Sequence, residues 1–143
     1  MILGYIKNYI LMCIKLIGTL VGILTGTDLN LVSLQNINSD YYYLIEPILK
    51  KLKFKNLLNV RANLCLKRPS KCSWHVDNFT KDLKHKTAIY YVNNNNGYTI
   101  FKNKKIKCEA NKIVLFDADQ IHKAKIQTNT DARIVINFNY EYI

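Results

Sequence analysis

From Lys55 onward the chain holds no single period long enough to make a helix. It breaks instead into eight short runs rich in β-branched and aromatic residues. These are NVRANLCL (59–66), CSWHV (72–76), HKTAIYYV (85–92), YTIFK (98–102), IKCEA (106–110), KIVLFD (112–117), HKAKIQ (122–127) and RIVINFNY (133–140). The breaks between them include NNNNG (93–97), NKK (103–105) and TNTD (128–131), where Asn and Gly accept positive φ. Short strands at near-regular spacing predict a mainly β antiparallel sandwich or barrel, not βαβ units. A length of 143 residues predicts a single domain. Residues 1–57 read as an apolar and helical support segment and 58–143 as the β core. No internal repeat and no Gly-rich phosphate loop is present.

The support segment has two parts. Residues 39–53, SDYYYLIEPILKKLK, predict a helix capped by Ser39 or Asp40. Lys50, Lys51 and Lys53 fall in its last turn, where they suit the helix dipole, and Pro47 predicts a kink or a late start. Residues 9–25 are apolar apart from Lys15. A membrane span needs about 20 apolar residues, and a charge near its middle costs roughly 3 kcal/mol. Only Lys7 precedes the run and Gly26 makes a poor cleavage site, so an element covering one face of the domain is favoured over an anchor or signal. A cytoplasmic protein is expected, without a membrane partner. The sequence carries no signature of oligomeric state.

The formal charge is +11, which invites a nucleic-acid reading. However, the cations are 18 Lys against 3 Arg, beside 18 Ile and 17 Asn. That pattern favours a compositional drift of the whole chain. A selected nucleic-acid face would more often use Arg, so nucleic acid is an admissible partner but not the favoured one. Cys13, Cys65, Cys72 and Cys108 include no C-x-x-C pair, and they read as reduced thiols.

The chemistry concentrates in a few residues. His75 and Asp77 stand two apart in W-H-V-D, and on a strand they would share one face. His122 begins a later strand, after 44 intervening residues that allow the chain to cross a sandwich and return. Two imidazoles and one carboxylate with open positions make the facial triad of non-haem Fe(II) oxygenases. Zinc is the competing metal, but a third nitrogen or a placed general base is not evident. Eleven residues past His122 comes Arg133, whose planar fork can hold a carboxylate through two hydrogen bonds.

Taken in order, H-V-D-N, I-Y-Y-V-N, K-I-V-L-F-D-A-D-x-x-H and R-I-V-I-N-F resemble the 2-oxoglutarate- and Fe(II)-dependent dioxygenases. The flavour is that of prolyl-hydroxylase-like and small viral or bacterial members, over roughly residues 59–140. The resemblance implies a double-stranded β-helix, a jelly-roll relative of the cupins. It implies Fe(II) held by His75, Asp77 and His122, with Arg133 on the distal carboxylate of 2-oxoglutarate. Tyr91 matches a position that helps hold that carboxylate. Many members carry Ser or Thr two residues past the Arg; here stands Val135, which leaves Tyr91 as the helper. Asn63 is a further candidate for the cosubstrate pocket. The implied activity is hydroxylation of an unidentified substrate (protein side chain, nucleic acid or small molecule), consuming O₂ and releasing succinate and CO₂, with ascorbate as a candidate reductant. Two rivals are an inactive β-helix binding module with a basic surface and a zinc or other-metal cupin.

The remaining side chains have plainer readings. His85 is expected at the surface, Trp74 in packing on the face opposite His75, and Tyr90 in the core. Asp117 and Asp119 read as a solvated strand end, with a second option of orienting His122. The lysines of 102–107 read as a solvated hairpin.

Overall fold

The computed structural model describes residues 29–33, 36–37, 40–69, 71–77 and 84–143. The apolar run 9–25, Cys13 and the Ser39 cap lie outside the described residues. Among the described residues nine strands form: β1 (Leu29–Ser33), β2 (Asn36–Ile37), β3 (Asn56–Leu66), β4 (His85–Tyr91), β5 (Tyr98–Phe101), β6 (Lys105–Lys107), β7 (Lys112–Asp117), β8 (His122–Lys125) and β9 (Ala132–Glu141). They build two antiparallel sheets, ordered β2-β1-β3-β9-β4-β7 and β6-β5-β8. This is the expected double-stranded β-helix.

The long strands alternate between two cores. On one face of the six-stranded sheet, Val60 sits opposite Phe138 and Tyr90 opposite Ile136. These pack with Ile45, Ile48 and Leu49 of the helical segment. On the other face, Ile89, Tyr91 and Val135 meet Phe101 and Cys108 beside the three-stranded sheet. A period of two therefore sends one set of residues to the helix and the other into the barrel. Tyr90 is in the first core, as expected, and its hydroxyl donates to Asn111 Oδ1 at 3.1 Å. Asn111 is the one non-glycine with positive φ among the described residues, at 66°, a conformation that Asn tolerates in turns.

Several expectations are corrected. Beside its helical turns, the support segment also supplies β1 and β2, which extend the large sheet, β1 pairing with β3. Instead of a helix over 39–53 there is a 3-10 turn (Asp40–Leu44) and a single α-turn, α1 (Glu46–Leu49). Pro47 lies in the first turn of α1, where a missing N–H costs nothing. Asp40 caps nothing in α1, whose N-cap is Ile45 with no side-chain hydrogen bond. Lys50 is already the C-cap, so the lysines do not occupy a last turn. CSWHV is not a strand: only His75 makes a bridge, to His122. His85 is buried rather than at the surface, at the start of β4 where it pairs with Glu141 of β9. Trp74 is exposed rather than packed, with Lys123 Nζ 4.5 Å from its ring centre. No helix of the described residues is long and apolar enough to cross a membrane.

Candidate metal centre

Two backbone hydrogen bonds bring the histidines together. His75 N donates to His122 O, and His122 N donates to His75 O, both at 2.9 Å. This reciprocal bridge sets the imidazoles side by side, ring centres 4.4 Å apart. Asp77 is fastened by its own N–H to Ala118 O at 2.8 Å. Its Oδ1 lies 3.7 Å from His75 Nε2 and its Oδ2 3.7 Å from His122 Nε2. One ligand atom from each of the three falls within 4.8 Å of the others. The separation in sequence thus closes into one cluster, and the described residues add no fourth His, Cys, Asp or Glu to it.

Both rings are already in the ligating tautomer. His75 Nδ1 lies 3.1 Å from Ser73 O and His122 Nδ1 2.9 Å from Gln120 O. A carbonyl only accepts, so each Nδ1 carries a proton, which leaves Nε2 as the ligating nitrogen of the neutral ring. The sequence reads Asp117 and Asp119 first as a solvated strand end and only second as groups that orient His122, and the first reading holds. Both are exposed, Asp117 pairs with Lys86, and the Gln120 carbonyl takes the orienting role. A backbone acceptor leaves no side-chain signal in a sequence.

Burial differs across the cluster. His122 is buried against Phe101 and Phe116, whose ring centres are 5.9 and 4.7 Å away. Loss of solvent pushes its pKa below the ordinary histidine value, and His75 adds to that. The Gln120 hydrogen bond and the Asp77 charge act in the opposite direction. His75, by contrast, has half of its side chain exposed. The cluster is therefore closed on the barrel side and open on one flank.

Two side chains that the sequence did not single out hold Asp77. Thr87 donates its hydroxyl to Asp77 Oδ2 at 3.2 Å, and Asn139 Nδ2 donates to Thr87 Oγ1 at 3.0 Å. Thr87 and Asn139 face each other across β4 and β9, and both are buried.

A pocket of about 420 Å³ opens beside the cluster, lined by His75, Asp77 and His122 and, elsewhere on its wall, by Arg133 and Asn63. Arg133 is 3% exposed. Its Nε donates to Cys108 Sγ at 3.1 Å, which leaves the two terminal nitrogens for a ligand. Gly97 makes room for it: a Cβ there would meet Arg133 Cδ at 3.1 Å. Asn63 lies opposite Val135, and its Oδ1 is buried without a partner. Tyr91 is fully buried and stands behind the wall, its hydroxyl donating to Thr99 Oγ1 at 2.7 Å. Thr99 is the residue that lines the pocket there. Burial raises the Tyr91 pKa to about 12, against the smaller opposing pull of that hydrogen bond.

The donor set fits a divalent metal of the oxygenase type. Three ligands, two nitrogen and one oxygen, leave positions open for a cosubstrate, and the Nδ1 protons are already engaged as such ligands require. The buried Arg133, with its terminal nitrogens free of Cys108, gives the same pocket a place for an anion.

No protein-family model matches the sequence, and no curated protein matches it. Solved structures do. The viral collagen prolyl hydroxylase of Paramecium bursaria Chlorella virus-1 aligns with a TM-score of 0.62 at 15% identity, over 92% of this chain and 84% of that one. A Pseudomonas putida prolyl-4-hydroxylase aligns with a TM-score of 0.57 at 11% identity, over 99% of this chain and 88% of that one. A Trichoplax adhaerens prolyl hydroxylase, solved with a hypoxia-inducible-factor peptide fragment, gives 0.52 at 13% identity, over 81% and 63%. At these identities the likeness establishes the fold.

Proposed function

We propose that the protein is an Fe(II)- and 2-oxoglutarate-dependent dioxygenase that hydroxylates its substrate. The observation that carries this reading is the pairing of two features in one pocket: the His75–Asp77–His122 cluster, and Arg133 buried in the wall. Similarity in fold to three prolyl hydroxylases supports it.

Each residue has a role in that reading. His75, Asp77 and His122 would hold the iron. Arg133 would bind the distal carboxylate of 2-oxoglutarate through its terminal nitrogens, with Cys108 fixing the third. Asn63 would offer its amide to the cosubstrate, and Tyr91 would act through Thr99. Phe101 and Phe116 exclude water from the His122 side. Bound iron and cosubstrate would supply the oxidation, in which substrate C–H, O₂ and 2-oxoglutarate become C–OH, succinate and CO₂.

The test is anaerobic titration of the protein with Fe(II) and 2-oxoglutarate. A weak visible charge-transfer band is expected and should vanish in His75→Ala. A folded protein that gives no band would overturn the assignment. Succinate released under O₂ then measures turnover, with ascorbate added as reductant.

A further inference from the structure

Part of the pocket is left over once the cosubstrate is accounted for. Along its floor β3 and β9 place Asn59 opposite Asn139, Arg61 opposite Asn137, Asn63 opposite Val135 and Cys65 opposite Arg133. Arg133 marks one end. Asn139, tied through Thr87 to Asp77, marks the metal end. Asn137 and Arg133 are four residues apart, or about 13 Å along a strand. The metal end is a row of amides. Asn59 and Asn137, like Asn63 between them and Arg133, have buried Oδ1 atoms with no hydrogen-bond partner. Buried acceptors left unmatched are destabilising, and a ligand bearing N–H donors would recover that cost.

The charge around these amides narrows the ligand. Arg61 and Lys123 line the same pocket, and among the described residues Asp77 is the only carboxylate that does. A cationic substrate is disfavoured there and an anionic one favoured. The segment that delivers His75 and Asp77 is K-R-P-S-K-C-S-W-H-V-D, residues 67–77. Lys67, Arg68, Lys71 and Trp74 on it are all exposed, and Lys123 sits over the Trp74 ring at 4.5 Å. All three arginines of the chain are thus in the pocket or on this segment, within a background of 18 Lys.

Resting on the dioxygenase reading, we infer that the substrate is single-stranded nucleic acid, with one base entering the amide-lined end of the pocket. An Asn amide offers a donor and an acceptor side by side, which matches the edge of a base. An exposed indole among cations is the stacking and phosphate-binding surface of single-strand binders.

Trp74 is the only tryptophan, so its fluorescence reports the site directly. The full chain would be titrated with a short single-stranded oligonucleotide, with inorganic polyphosphate of matched charge, and with an acidic peptide. Quenching by the oligonucleotide is expected, at an affinity at least about tenfold above the other two. Asn137→Ala and, separately, Asn59→Ala should each weaken oligonucleotide binding by about tenfold and leave polyphosphate binding unchanged. Circular dichroism identifies any variant that fails to fold, and the other then decides. Equal affinity for polyphosphate would mean that the lysine surface alone binds, and would overturn the inference. Tighter binding of the peptide, or folded Asn variants with unchanged affinity, would overturn it as well. The iron and 2-oxoglutarate band is read separately, so its absence counts against the dioxygenase reading and not against the base site.

Discussion

The Thr87 hydroxyl donates to Asp77 Oδ2 at 3.2 Å, with Asn139 donating to Thr87 in turn. A carboxylate held this way cannot rotate freely between binding modes, and the proposed metal would meet it already oriented. Groups that support a metal ligand typically contribute 10–100-fold to affinity. Thr87→Val keeps the shape and removes the donor, so Fe(II) affinity should fall by roughly that factor. Thr87→Ser should restore most of it. Metal titration without cosubstrate measures this, and an unchanged affinity in a folded Thr87→Val would remove Thr87 from the site.

Arg133 gives a second prediction. A charge-assisted bidentate pair exceeds a single ammonium contact by about 1.5–3 kcal/mol. Arg133→Lys should therefore raise the Kd for 2-oxoglutarate by roughly 10–100-fold, with metal affinity unaltered. Calorimetric titration of the metal-loaded, anaerobic protein separates the two. An unchanged Kd would mean that Arg133 is not the anchor.

How far the sequence could be read follows from which contacts are local. KIVLFD at 112–117 coincides with β7, because a strong β run between turn residues needs no distant information. That His75, Asp77 and His122 come together agrees with their spacing and order in the sequence. Thr87 and Asn139 were not, since each is an ordinary strand residue. Their meaning comes from a register that joins positions 52 apart in sequence. The strand β1 is hidden for the same reason: LNLVS is too short to specify itself and exists by pairing with β3. His85 reads locally as a surface residue, whereas in the fold it sits between neighbours at Glu141 and Ala118, which no local pattern announces.

Gly97 tests the link between the turn and the anchor. A Cβ at this position would approach Asn95 Oδ1 at 2.7 Å, Lys125 O at 2.9 Å and Arg133 Cδ at 3.1 Å. The side-chain contacts can yield, but the Lys125 carbonyl is backbone and can shift only with β8. Gly97→Ala should destabilise the protein by about 1–3 kcal/mol, the usual cost of overpacking. It should also weaken 2-oxoglutarate binding by displacing Arg133. Urea unfolding and calorimetry read the two effects, and loss of stability with full cosubstrate affinity would sever the proposed link.

Tyr91 supplies the pH dependence. Its pKa rises from the ordinary 10 to about 12, chiefly through burial, so at neutral pH the hydroxyl is protonated and donates to Thr99. The folded state holds this proton more tightly than the unfolded chain. The resulting stability is fully present below pH 10 and is lost as pH rises through about 12. By linkage the loss amounts to up to about 3 kcal/mol. Tyr91→Phe removes the ionisable group, so its unfolding free energy should decline less steeply over that range than that of the unaltered protein. At neutral pH the variant loses the Thr99 contact and should cost about 1 kcal/mol. Denaturant unfolding at a series of alkaline pH values measures both effects. Parallel curves for the two proteins would show that Tyr91 ionises as an exposed tyrosine does, which would contradict its burial behind the pocket wall.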